Sequence, residues 1–356
     1  MGSNLEKELG QMFVIRFQGQ EINDELITLI KDYHIGGITL YKKNYDNYAQ
    51  MLNIINELKK INHKYNDTPL FIAIDQEGGR VNRLPKEFKN IVAAKKLSID
   101  KKYVEKGSNL ISYALDSLGV NMNFAPVLDI QRFEDGHAIG DRCYGFDKES
   151  VSSKGLIMMK ALKKKRIVSV VKHFPGHGLV KRDSHLFLPF IFKNIKESDD
   201  IVPFKEAINN GCDAIMISHI MIRKMDRLYP ASLSKKVIKN YLVDELGFKG
   251  LIVTDDLKMK AVNLLYGYKR STYKAIEAGN NIVLIGSSYR KVIDCINYIK
   301  KKMTEEVKKN IEESYQKIIK IKDKYEINDK INKPIDVDKY NQEVEELNKE
   351  VKDKIK

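Results

Sequence analysis

The chain is expected to fold as a single-domain α/β protein, a (β/α)8 barrel of the TIM type followed by a C-terminal helical extension. Three observations lead there. Eight short apolar runs rich in β-branched or aromatic residues recur along residues 11–286, the amphipathic segments between them are long enough to be crossover helices, and polar groups stand where the runs end. A doubly wound open sheet shows the same local alternation, so the count of eight is what favours the closed barrel.

The runs, in order, are QMFVIRF at 11, IGGITL at 35, PLFIAI at 69, VNMNFAP at 120, IVSVV at 167, AIMIS at 214, LIVT at 251 and NIVLIG at 281. Each is nearly continuous in apolar residues, as a parallel strand covered on both faces requires. YAQMLNIINELKK, VSSKGLIMMKALKKK and SKKVIKNYLVDELG read as helices returning the chain to the next strand. Beyond residue 301, Val307, Ile311, Tyr315 and Ile318 form a stripe at helical spacing, which predicts a helix docked on the barrel. After Pro334 the charged tail KYNQEVEELNKEVKDKIK reads as a partly solvated helix or a fraying end. The expected division is a catalytic barrel over 1–300 and the extension over 301–356.

The 356 residues carry 62 Lys and Arg against 48 Asp and Glu, a net charge of +14. The lysines are interspersed with acids along the whole chain, and no RRM, zinc-finger or KH signature is present, which argues against specific nucleic-acid binding. Cys143, Cys212 and Cys295 are odd in number and far apart, so free thiols are expected rather than a disulfide framework or a metal cluster. No apolar stretch has the length of a membrane span. A monomer in the cytoplasm is expected, with a secreted form that has lost its signal as the alternative.

In a barrel of this kind chemistry belongs at the C-terminal ends of the strands. Five runs end in ionisable or amide residues: Asp75, Asn123, Lys172 with His173, His219, and Asp255 with Asp256. The stretch KHFPGHGLVKRDSH at 172–185 is the densest cluster, with Asp183 two positions before His185. Such an aspartate orients an imidazole and raises its basicity for acid/base work near neutral pH, although metal binding and plain solvent exposure fit the same residues. Asp255 suits a nucleophile, a general base, a metal ligand or a helix N-cap, and Asp256 suits the capping role better. IDQEGGRVNRL at 74–84 brings Asp75, Glu77, Arg80 and Arg83 together, and GDRCYG at 140–145 adds Arg142. Carboxylates beside guanidinium groups suit a hydroxyl-rich ligand or an internal ion pair. His219 is a further substrate-binding candidate.

Taken together, the segments DQEGGRVNRL, NFAPVLD, GDRCYG, KHFPGHGLVKRDSH and TDDLKM resemble those of glycoside hydrolase family 3, in its single-barrel β-N-acetylglucosaminidase branch of the NagZ type. The resemblance covers the barrel from residue 10 to 286. It implies a retaining exo-β-N-acetylglucosaminidase acting on terminal GlcNAc of peptidoglycan fragments or related oligosaccharides, without metal or other cofactor. Asp255 is then the nucleophile, His185 with Asp183 the acid/base pair, and Asp75, Arg83, Arg142, Lys172 and His173 the sugar-binding residues. Glu77 is the carboxylate alternative for the acid and ranks below His185. Cys143 departs from the serine frequent in the GxRxYG segment. A phosphorylase using the same residues, a metal-dependent hydrolase and an inactive glycan-binding barrel are the competing functions.

Overall fold

Each of the eight apolar runs forms a strand of one sheet in the computed structural model, which describes residues 3–132, 139–178, 180 and 189–355. The strands are β1 (Phe13–Arg16), β2 (Gly37–Leu40), β3 (Phe71–Ile74), β4 (Met122–Asn123), β5 (Val168–Phe174), β7 (Ala214–Ile217), β9 (Leu251–Thr254) and β10 (Val283–Ile285). A short pair, β6 (Phe190–Ile191) and β8 (Met221–Ile222), lies outside the sheet. Every neighbouring pair in the order β10-β1-β2-β3-β4-β5-β7-β9 is parallel. The two end strands meet through a parallel bridge between Val253 and Ile282, with Thr254 N donating to Ile282 O at 3.0 Å. An open doubly wound sheet has no such closure, so the fold is a (β/α)8 barrel.

The surrounding helices are α1 (Ser3–Gln11), α2 (Asp24–Lys31), α3 (Tyr48–Tyr65), α4 (Ala94–Leu97), α5 (Lys101–Leu118), α6 (Lys148–Lys164), α7 (Val202–Asn209), α8 (Lys260–Ala278), α9 (Tyr289–Lys302), α10 (Glu305–Lys324) and α11 (Asp338–Ile355). Their starts are written locally: the side chains of Asn23, Asn47, Asp100, Asp147 and Thr304 each accept from an amide of the helix that follows. The segment expected as an α-helix after Ser234 adopts the wider π form over Lys236–Glu245, with Val237, Ile238, Tyr241 and Leu242 buried. The three cysteines are buried free thiols. No described helix is long and apolar enough to cross a membrane.

Two C-terminal helices complete the barrel. Val307, Ile311 and Ile318 of α10 are buried as the stripe predicts, and Tyr315 is half-buried. Of the two readings of the tail, the partly solvated helix is the one the structure shows. It forms α11, which packs on α5 and buries Tyr340, Val344, Leu347 and Val351. Those four residues repeat at intervals of four, three and four, a stripe that the dense charges between them obscure in the sequence. Polar side chains of α11 also hold the loop after β3. Asn341 accepts from Lys89 N at 2.8 Å and donates to Glu87 O at 2.8 Å, and Asn348 accepts from Val92 N at 3.1 Å.

Candidate active site

Polar side chains at the strand exits surround a cavity of ≈ 530 Å³ lined by Tyr41, Asp75, Arg83, Arg142, Lys172, His173, His177, Asp255 and Asp256, among others. The loop carrying Asp75 is shaped from below by Asn123, whose amide pairs with both backbone groups of Gln76 at 2.9 Å. Asn123 is therefore spent on positioning and does not face a ligand. Gln76 in turn accepts from Arg83 N at 2.7 Å, and Glu77 N donates to Val81 O at 3.0 Å, which folds the loop back on itself. Gly79 makes the turn with φ +56, where a Cβ would sit 2.6 Å from that of Ala93.

An ion network fills one wall. Lys172 Nζ is 2.8 Å from Asp75 Oδ1 and 2.6 Å from Glu77 Oε1. Arg142 grips both oxygens of Glu77, at 2.7 and 2.8 Å. Burial opposes ionisation of Glu77, but the charges of Lys172 and Arg142 outweigh it and hold the carboxyl well below the usual carboxylate range. A carboxylate so committed has no proton to donate near neutral pH. Burial likewise works against the Lys172 ammonium, yet Asp75 and Glu77 raise its pKa above the ordinary value. Arg80 is exposed and tied to Asp141 at 3.0 Å and to Ile139 O at 3.0 Å, so it closes two loops on each other.

His173 Nδ1 lies 2.7 Å from Asp129 Oδ2, and Asp129 Oδ1 accepts from the backbone amide of His177 at 2.7 Å. Asp129 is fully buried and fixes the His173 ring. It closes the NFAPVLD segment, and its pairing with His173 and His177 across two strand exits is a contact that spacing alone does not reveal. Tyr41 was also not singled out. Its ring is sandwiched between Arg16, 4.3 Å from the centroid, and Arg83, 5.9 Å away. Arg83 Nε is buried with no hydrogen-bond partner among the described residues, which leaves a donor for a ligand in the cavity.

Asp255 follows β9 with its amide bonded to Ile217 O at 3.0 Å, and its Oδ1 accepts from Asp256 N at 2.8 Å. Burial disfavours its charge, but His173, His219, the Asp256 amide and Lys172 prevail and lower its pKa. Asp255 is thus an ionised carboxylate on the cavity wall. Asp256 is pushed up to about 6 by burial, with the Asp255 charge adding to the shift. The expectation that Asp256 caps a helix is not met: α8 begins after Met259 without a side-chain cap. Asp256 Oδ1 instead accepts from Lys258 N at 2.9 Å and Gly286 N at 2.8 Å, fastening the Asp255–Asp256 turn to the exit of β10.

His219 also differs from expectation. It is fully buried and outside the cavity lining, with Nδ1 2.6 Å from Ser232 Oγ and Nε2 3.1 Å from Asp256 O. Burial lowers its pKa against the pull of Asp255, leaving a neutral ring that props the Asp255–Asp256 turn. Cys143, where the resemblance leads one to expect serine, has Sγ 3.3 Å from Gly140 O. Asp183 and His185 lie outside the described residues. The chain returns at Pro189, whose carbonyl accepts from Met221 N at 2.8 Å beside the β6–β8 pair. Among the described residues no group of three or more His, Cys, Asp or Glu side chains is placed to hold a metal ion.

Comparison with known proteins agrees with this geometry. The family model described as the glycosyl hydrolase family 3 N terminal domain matches residues 4–321. A β-hexosaminidase of Photobacterium profundum is 36% identical over 284 residues, covering 78% of this chain and 83% of that protein. Among solved structures, a family 3 β-N-acetylglucosaminidase from a Paenibacillus species superposes with a TM-score of 0.89 at 30% identity, over 96% of this chain and 68% of that one. NagZ from Neisseria gonorrhoeae, in complex with N-trifluoroacetyl-D-glucosamine, gives 0.74 at 25% identity, over 95% and 98% of the two chains.

Proposed function

The chain belongs to glycoside hydrolase family 3, and from that premise we propose that it is a retaining exo-β-N-acetylglucosaminidase releasing terminal GlcNAc from peptidoglycan fragments or related oligosaccharides. The observation that carries the reading is Asp255, a carboxylate held ionised on the wall of a cavity whose size suits a small ligand. One of its oxygens is steadied by the Asp256 amide, which aims the group without consuming its charge.

In the first step Asp255 attacks the anomeric carbon as the bond to the leaving oxygen breaks, and His185, oriented by Asp183, gives that oxygen a proton. In the second, His185 takes a proton from water, the hydroxide adds to the anomeric carbon and Asp255 is freed. Asp75, Arg83, Arg142, Lys172 and His173 bind the sugar, with Lys172 and Arg142 held rigid by Glu77. Glu77 is unfit for the acid role because both of its oxygens already accept from cations. That supports His185 as the proton donor.

The test is release of p-nitrophenol from its β-GlcNAc and β-glucoside derivatives, in phosphate-free buffer with chelator. Turnover of the GlcNAc substrate that is lost on Asp255→Ala supports the reading. Preference for the glucoside, or full activity in the variant, overturns it. An NMR spectrum of the first-formed sugar anomer checks retention.

A further inference from the structure

A second pocket, of ≈ 350 Å³, adjoins the catalytic cavity and shares Lys258 with it. Its walls come from four strand exits: Arg16 ends β1, Lys43 lies in the turn after β2, Lys258 follows β9, Ser287 and Ser288 join β10 to α9, and Lys291 stands in the first turn of α9. No acidic residue lines it. Among the described residues, none of Arg16, Lys43, Lys258 and Lys291 has a carboxylate within 4.0 Å, although most basic groups near the rim are paired. Arg16 rests on the Tyr41 ring at 4.3 Å and Lys291 on that of Tyr268 at 4.8 Å, contacts that hold the side chains while leaving their charges unneutralised.

Ser287 points to what belongs there. It is 9% exposed, lines the pocket, and its hydroxyl makes no hydrogen bond among the described residues. That hydroxyl opens onto the pocket, where it can donate to or accept from a ligand. Ser288, the residue before α9, makes no side-chain cap; its carbonyl takes the amides of Lys291 and Val292, which leaves those of Tyr289 and Arg290 at the start of that 14-residue helix beside the cations. The scaffold is stiff: Gln18 N donates to Tyr289 Oη at 2.9 Å and Gln18 Nε2 to Ser287 O at 2.6 Å, tying the β1 exit to the β10 exit. Gly286 must be glycine, since a Cβ there would lie 2.1 Å from Asp256 Oδ2.

We propose that this pocket binds a phosphoryl group. Four cations without a carboxylate partner, a serine hydroxyl on the pocket wall and the leading amides of a helix match a tetrahedral dianion better than a neutral sugar face, and the end of the last barrel strand at a helix N-terminus is a place where barrels bind phosphate. The phosphoryl group is either free phosphate or one carried by a ligand that also enters the catalytic cavity. Because Asp256 accepts from Gly286 N, occupancy of the pocket adjoins the nucleophile loop directly.

Titration calorimetry at constant ionic strength tests this with inorganic phosphate, N-acetylglucosamine 6-phosphate and N-acetylglucosamine, on the wild type and on the Lys43→Ala/Lys291→Ala double variant. Both lysines are exposed, so the variant should fold, and Ser287→Ala provides a second, uncharged test of the same pocket. Phosphate ligands are expected to bind the wild type and to lose about tenfold in affinity in the double variant, the loss of two solvent-screened ion pairs. If the sugar phosphate binds more tightly than both inorganic phosphate and the plain sugar, the phosphoryl group is carried by the ligand. If it binds no better than inorganic phosphate, the site serves free phosphate. Absence of binding to the wild type, or equal binding to wild type and variants, overturns the proposal. The readout is binding, so it does not depend on turnover.

Discussion

Lys172 and Lys322 are each only 2% exposed, one at the rim of the barrel and one at its floor, and their surroundings differ in kind. At the rim, Lys172 meets the carboxylates of Asp75 and Glu77, and it lines the cavity together with Asp75 and Asp255. At the floor, Lys322 of α10 reaches into the entrances of the strands and donates to Gln11 Oε1 at 2.7 Å, Gly36 O at 3.1 Å and Pro69 O at 2.6 Å. Its ammonium also sits 4.5 Å from the centroid of the Phe71 ring. Three neutral acceptors surround the nitrogen, so none of its N–H groups is left over for a ligand. The contrast teaches that a buried charge at the rim is kept by opposite charges and faces a cavity, whereas one at the floor is saturated by the backbone it clasps. The first lines the candidate site and the second holds a helix in place.

The largest effect that would break this division is at Asp255. Asp255→Ala should lower turnover of a β-GlcNAc substrate by roughly 10⁴-fold, as loss of a nucleophile does, with little change in the thermal melt. Normal turnover would remove the rim's claim to the chemistry. Next comes Lys172→Met, which leaves Asp75 without its cation and Glu77 with Arg142 alone. Breaking a buried ion pair on one side costs about 3–5 kcal/mol, and activity should fall with it. Urea unfolding and kinetics on the same preparation check both. If stability fell while turnover per folded molecule held, Lys172 would be a structural residue like its counterpart at the floor.

Away from both ends, Tyr340→Ala on α11 should cost about 3 kcal/mol of unfolding free energy, because a large side chain wedged against Phe88 at 5.2 Å is lost from a packed interface. Turnover per folded molecule should drop less than tenfold, through the loop after β3 that α11 supports. Unchanged stability would mean that the tail frays, as its sequence alone suggests.

That tail marks where reading the sequence succeeded and where it stopped. The eight strands were legible because burial on both faces leaves runs such as FIAI and LIVT almost free of polar residues. The stripe of α11 was not, because five apolar residues in eighteen are outnumbered by charges and their partner surface on α5 lies far away in the chain. The rim residues Asp75, Arg83, Arg142, Lys172, His173 and Asp255 were identifiable from strand exits and motifs, and the structure brings them to one cavity. What spacing could not supply were the partners. Asp129 behind His173, Tyr41 between two arginines, and the bracing roles of Asn123, Asp256 and His219 all depend on contacts between segments distant in sequence. A strand-end position says that a side chain is near the rim, not which way it turns.

The finest test of the contrast is a pH dependence. Burial brings the Lys322 pKa from the ordinary 10.5 down to about 7, with Asp329 opposing the shift. Between those two values the unfolded chain binds a proton that the folded chain lacks, so this residue makes stability rise with pH across the window and fall away again as pH drops toward 7. Lys322→Met carries no titrating group at that site, while every other ionisable residue is common to both chains. The stability of the wild type relative to Lys322→Met, from urea unfolding at pH 7, 8 and 9, should therefore climb with pH, and turnover should differ between the two chains by less than about twofold because the floor faces no ligand. Parallel stability curves would mean that the three acceptors keep Lys322 charged throughout. The floor would then resemble the rim in holding a charged lysine, and the two would differ only in that carbonyls, unlike carboxylates, leave no cavity to serve.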